Sequence, residues 1–126
     1  MEIPGDLLYT KEHLWLKEED GRITCGITDH AQELLDEINV IELPAIGAEI
    51  AKDEILATIE SLKSVFDVLS PVNGTISEIN EKLKETPSLI NSAPYTDGWI
   101  AKMIPGDKDE LRSYMTADQY TDFISG

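Results

Sequence analysis

Two runs of β-type residues, EILATIES and SVFDVLS, stand almost back to back in the middle of the chain. In the first, Ile55, Ala57 and Ile59 fall on one face and Leu56 and Thr58 on the other, the period-two alternation of a strand. Pro71 and the Asn73-Gly74 pair close the second run. Between them lies only the polar interruption Glu60-Ser61-Leu62-Lys63-Ser64, too short for a linker. So little intervening chain forces a tight hairpin with Lys63 near its tip. A lysine inside a two-sided apolar β region would be buried at a cost, whereas at a turn it projects into solvent. An exposed lysine is by itself an ordinary solubilising residue; its context decides whether it is more.

The flanks repeat the short-strand pattern. HLWLKEED and RITCGI read as a hairpin joined at Asp20-Gly21. Thr28 is placed to cap a helix, with Asp29 in its first turn and Ala31, Leu34, Leu35 and Ile38 as one apolar stripe. INVIELP returns to β character and stops at Pro44; GTISEIN and GWIAKMI are further strands, and INSAPYTDG between them reads as a loop. Asp107 with Glu110, and Thr116 with Gln119, have capping-box spacing. Leu111, Tyr114, Met115, Tyr120, Phe123 and Ile124 then supply one or two short amphipathic helices. Many short strands with small helices predict a mainly β sandwich or barrel-like domain with a helical C-terminal end. At 126 residues, one domain over 1–126 is expected.

Charge and residue chemistry narrow the function. With 25 acidic and 10 basic residues the net charge is -15, which repels phosphate backbones and anionic lipids; neither nucleic acid nor membrane is an expected partner. The same acidity suits docking to basic patches on proteins. Cys25 is the only cysteine, so no intrachain disulfide forms, and its apolar run RITCGI suits a small buried hydrophobe. With no signal-peptide pattern at the start, a cytoplasmic location is expected. The two histidines, His13 and His30, lie in different segments, and no metal site is expected. No phosphate loop, GxSxG or HExxH occurs, so no familiar catalytic constellation is present.

The segment ESLKSVFDVLSPVNGTI resembles the lipoylation segment of glycine cleavage H proteins, E-S-x-K-x-x-x-D-x-x-S-P-x-x-G, with Glu60, Ser61, Lys63, Asp67, Ser70, Pro71 and Gly74 in register. YTKEHLW, GITDHAQ, VIELP and LINSAPYTDGW resemble four further family motifs in the same order. Biotinyl domains usually flank the lysine with methionines, where Leu62 and Ser64 stand here; dehydrogenase-complex lipoyl domains lack the outer motifs. The resemblance implies a lipoyl-domain-like β sandwich or barrel-sandwich hybrid. It implies a non-catalytic carrier with lipoic acid in amide linkage on Lys63 and with Glu60, Ser61 and Asp67 around the hairpin for recognition. The carrier would take the aminomethyl group of glycine from glycine decarboxylase (P protein) to aminomethyltransferase (T protein), with reoxidation by dihydrolipoamide dehydrogenase (L protein). A lipoyl ligase or a lipoyl/octanoyl transferase would load it, and it is expected to be a monomer.

Three positions depart from that pattern. Leu14 stands where the family usually has Glu, a residue associated with the parked, loaded arm. Val65 and Phe66 stand where small residues are common, which bears on docking. Asp36 replaces a Gly; if the position needs positive φ, Asp is among the better tolerated substitutes. These departures also suit an H-like lipoate-binding paralogue serving sulfur oxidation with a heterodisulfide-reductase-like complex, or lipoyl relay. A domain that keeps the fold without the lipoyl group is the remaining reading.

Overall fold

A computed structural model describes all of residues 1–126. Its strands are β1 (Leu8–Tyr9), β2 (Leu14–Glu19), β3 (Arg22–Ile27), β4 (Ile38–Glu42), β5 (Glu49–Ile50), β6 (Ile55–Ser61), β7 (Val65–Leu69), β8 (Gly74–Ile79) and β9 (Ala101–Pro105). Helices α1 (Asp29–Leu35), α2 (Lys82–Glu85), α3 (Leu89–Ser92) and α4 (Ala117–Ser125) complete it, with a 3-10 turn over Lys108–Ser113. One sheet has six strands in the order β1-β2-β3-β9-β8-β5; the other has three, β4-β6-β7. All pairings are antiparallel, and neither sheet closes into a barrel. The mainly β class with a helical C-terminal end therefore stands, as a sandwich rather than a closed barrel.

Both sheets contribute to one core, with Leu16, Ile23, Ile27 and Met103 from the larger and Ile41, Ile59 and Val68 from the smaller. The β2–β3 turn forms at Asp20 (φ 51) and Gly21 (φ 78), the pair of positive φ values that a two-residue hairpin of matching twist requires. A second cluster, Leu7, Tyr9, Trp15 and Tyr120, docks α4 onto the N-terminal strands. Gly26 sits opposite Trp15 in the β2–β3 register, and a Cβ there would lie 2.7 Å from the Trp15 indole nitrogen. Thr116 and Gln119 form the expected capping box at the start of α4.

Four local expectations are corrected. The register shifts between Ile55 and Ala57 in the β6–β7 pairing, a bulge that inserts Leu56 as an extra residue. It reverses the facing of the strand's start, so Leu56 is 3% exposed and Ile55 56%. Helix α1 ends sooner than its apolar stripe implies, because Asp36 turns the chain at φ 61. Leu34 is then exposed and Ile38 begins β4. The loop before β9 contains α3, which extends only from Leu89 to Ser92. At the start of the 3-10 turn, Asp107 accepts from the Asp109 N–H, while the Glu110 carboxylate accepts from Asn73 instead of returning to Asp107.

Candidate functional site

The β6–β7 hairpin is pinned by its strand register and by one hydroxyl. Glu60 pairs with Val65, Ile59 with Phe66 and Thr58 with Asp67. At the tip the Ser61 hydroxyl accepts from the N–H groups of Lys63 (3.3 Å) and Ser64 (3.2 Å) and donates to the Ser64 carbonyl (3.3 Å). The Ser61 N–H also donates to the Ser64 carbonyl at 2.9 Å. A serine side chain bonding its own turn replaces backbone partners the short connection cannot supply. Lys63 stands on this closed turn with its side chain 70% exposed.

The side chains around it divide by strand parity. Ile59 and Val68 face inward and are buried, and Phe66 is half-buried against the core. Glu60 and Asp67 lie on the outer face; Asp67 accepts from the Thr58 hydroxyl at 3.3 Å, and Glu60 makes no ion pair. The turn thus gathers Ser61 and Lys63, with Glu60 beside them, while Asp67 sits further down the hairpin. Leu62, Val65 and Val40 are exposed next to the lysine, at 80%, 63% and 45%. An apolar collar round a single cation is a surface suited to protein contact. Of the departures from the motif, Val65 joins this collar, Phe66 packs inward, and Leu14 is buried in the main core.

Across from the tip, the Asp36 carboxylate accepts from Lys63 Nζ at 2.6 Å. That hydrogen bond, and then the charge of the carboxylate, holds the Lys63 ammonium above the ordinary lysine range. Asp36 has the positive φ that its position suggested, 61°. Its N–H donates to the Gln32 carbonyl at 3.1 Å and its carbonyl accepts from the Asn91 amide at 2.7 Å. The same Asn91 amide donates to Gln32 Oε1, and its oxygen accepts from the Ile38 N–H, so one side chain joins α1, β4 and α3. Sequence reasoning missed both Asp36 as a partner of Lys63 and Asn91 as its support. The available signals were that Asp36 stands where the resembled pattern has Gly and that Asn91 lies within LINSAPYTDGW. A polar cleft of about 540 Å³ opens beside them, lined by Glu33, Asp36, Glu37, Asn91 and neighbouring polar residues.

Other reactive groups are occupied structurally. Cys25 is fully buried, and burial pushes its thiol up to about 12, out of the range of a nucleophile. His13 and His30 come together, ring centroids 4.9 Å apart, although they belong to different segments. No group of three or more His, Cys, Asp or Glu side chains is arranged to hold a metal ion. No helix is long and apolar enough to cross a membrane.

Comparison with known proteins gives these features a context. A family model described as glycine cleavage H-protein matches residues 7–126. A glycine cleavage system H protein of Coprothermobacter proteolyticus is 47% identical over 125 residues, covering 98% of each chain. That of Oceanobacillus iheyensis is 43% identical over 124 residues, again covering 98% of each. One from Escherichia coli is 45% identical over 119 residues, 94% of this chain and 92% of the other. Among solved structures, a glycine cleavage system H protein from Mycobacterium marinum superposes with a TM-score of 0.90 at 31% identity, covering 98% of this chain and 100% of that one.

Proposed function

The chain belongs to the glycine cleavage H-protein family, lipoyl carriers of the glycine cleavage system that are not themselves catalysts, and on that premise we propose that Lys63 is its point of lipoyl attachment. Through that arm the protein moves the aminomethyl group of glycine from glycine decarboxylase to aminomethyltransferase and is returned to its oxidised form by dihydrolipoamide dehydrogenase. The observation that carries this reading is the placement of Lys63 on a hairpin tip closed by Ser61, with its side chain largely exposed.

The residues fit the group. An amide on Nζ needs an accessible primary amine on a rigid support, and Lys63 is the one lysine on this turn. When bound, the dithiolane supplies thiol–disulfide chemistry that the buried Cys25 cannot. Ser61 keeps the turn closed, so the arm pivots about Lys63 and not about a flexing loop. Amide formation removes the lysine charge and lets the arm enter a partner's apolar pocket at lower desolvation cost. Tethering raises the local concentration of the reactive end at each partner.

Glu60, Ser61 and Asp67 are the hairpin residues read by the lipoyl ligase or the lipoyl/octanoyl transferase, with the collar of Leu62, Val65 and Val40 as the apolar part of that contact. Residues 1–126 act as one carrier domain, monomeric and cytoplasmic. The glycine–bicarbonate exchange reaction with a glycine decarboxylase tests the cargo. Lipoylated protein should support exchange and the unmodified protein should not. No exchange after confirmed lipoylation would move the carrier to sulfur oxidation or lipoyl relay.

A further inference from the structure

We propose that Asp36 is a positioning residue for Lys63, clamping the unmodified ammonium to the end of α1 until acylation removes its charge and frees the arm. The inference rests on the reading of Lys63 as the attachment site. It starts from the 2.6 Å contact between two elements that share no strand pairing, the α1 terminus and the β6–β7 turn.

Exposed ion pairs are usually weak because two long side chains must be held still. Here both supports are already fixed. Asp36 is short, and at φ 61 its backbone N–H is tied to Gln32 and its carbonyl to Asn91. The Lys63 backbone is tied to the Ser61 hydroxyl. Glu60 lines the hairpin surface, and Glu33 and Glu37 line the cleft beside Asp36, yet none of them is paired with Lys63. A glycine at position 36 would fit the same backbone conformation but offer no carboxylate.

The chemical consequence follows from what acylation requires. The amine must lose a proton to solvent so that its lone pair can attack the carbonyl carbon of an activated lipoyl ester, such as an acyl adenylate. The C–N bond forms, the bond to the leaving group breaks with its electron pair, the leaving group departs as an anion, and the nitrogen releases a second proton to solvent to give the neutral amide. Asp36 favours the protonated amine, so it holds back the lone pair before reaction. The product amide is neutral and no longer attracts the carboxylate, so the modified arm leaves α1.

The test compares wild type with Asp36→Asn and with Asp36→Gly, both compatible with positive φ. Acetyl N-hydroxysuccinimide is the probe, with site-resolved mass spectrometry reading Lys63 against Lys82 across a pH series. Lys63 should acylate about two- to fivefold faster in the variants at neutral pH, with its pH profile displaced to lower pH. The difference should close near ~1 M salt, where screening extends only about 3 Å. Superimposed profiles, or a difference that persists in high salt, would overturn the clamp. Matching melting curves establish that the variants are folded. A parallel reaction of wild type with a lipoate ligase reads the attachment itself; absence of lipoate from Lys63 there overturns the carrier reading whatever the chemical profile shows.

Discussion

His13 Nδ1 lies 2.9 Å from the hydroxyl of Tyr120, joining the start of β2 to α4 across 107 positions of sequence. The same hydroxyl is 2.8 Å from Thr28 Oγ1, which already accepts from the Ala31 N–H as the cap of α1. Each group is satisfied when Thr28 donates to Tyr120 and Tyr120 donates to His13, which assigns His13 as neutral with its proton on Nε2. Burial, and then the neighbouring His30, holds His13 below the ordinary histidine value of 6.5.

That depression sets a sign. Between the lowered folded value and 6.5 the unfolded chain binds the proton and the folded chain does not. The contribution is therefore complete above about 6.5 and is lost as the pH falls from there through the folded value. Melting temperatures from pH 8 to pH 5 check this against His13→Asn, which tolerates the positive φ of 67 at that position. Wild type should lose more melting temperature on acidification than the variant, and parallel curves would refute it.

Tyr120→Phe removes the shared hydroxyl while keeping the ring, which stacks on Tyr9 with centroids 4.7 Å apart. Two partly or fully buried groups then lose a partner, a change expected to cost about 1–3 kcal/mol. Urea denaturation should show a lower midpoint with an unchanged slope; an unshifted midpoint would mean that solvent replaces the hydroxyl.

The bulge at Ile55 and Leu56 makes a paired prediction. Leu56→Ala empties a core position and should cost about 2–5 kcal/mol, whereas Ile55→Ala, on the exposed side, should stay within about 1 kcal/mol. The reverse order, with Ile55→Ala the costlier change, would restore the regular alternation and remove the bulge.

Gly26→Ala should destabilise by about 1–3 kcal/mol, because the added methyl meets an indole that cannot step aside. Trp15 Nε1 donates to the Pro94 carbonyl at 2.9 Å, and moving the ring would break that bond. An unchanged melting temperature would show that the ring relaxes freely.

Much of this fold was legible because its determinants are local. The hairpin carrying Lys63 follows from alternation and a brief interruption, and the Asp20-Gly21 turn and the Thr116 cap follow from backbone preference and side-chain reach. The bulge was not legible, since either parity of EILATIES places apolar residues inward and only pairing with β7 decides between them. The end of α1 at Asp36 was hidden by Ile38, whose spacing continues the helical stripe although it is the first residue of β4. At the site, Lys63 stood out through its motif. Its pairing with Asp36, and the meeting of His13, Thr28 and Tyr120, depend on how distant segments pack.

Peptide mass mapping after coexpression with a lipoate ligase tests the Lys63 assignment most directly. A lipoyl increment confined to the peptide containing Lys63 is expected, absent from Lys63→Ala, with the melting curve of that exposed-site variant overlaying that of wild type. An increment on another lysine, or none on wild type while a known lipoyl domain in the same cells is modified, would contradict it.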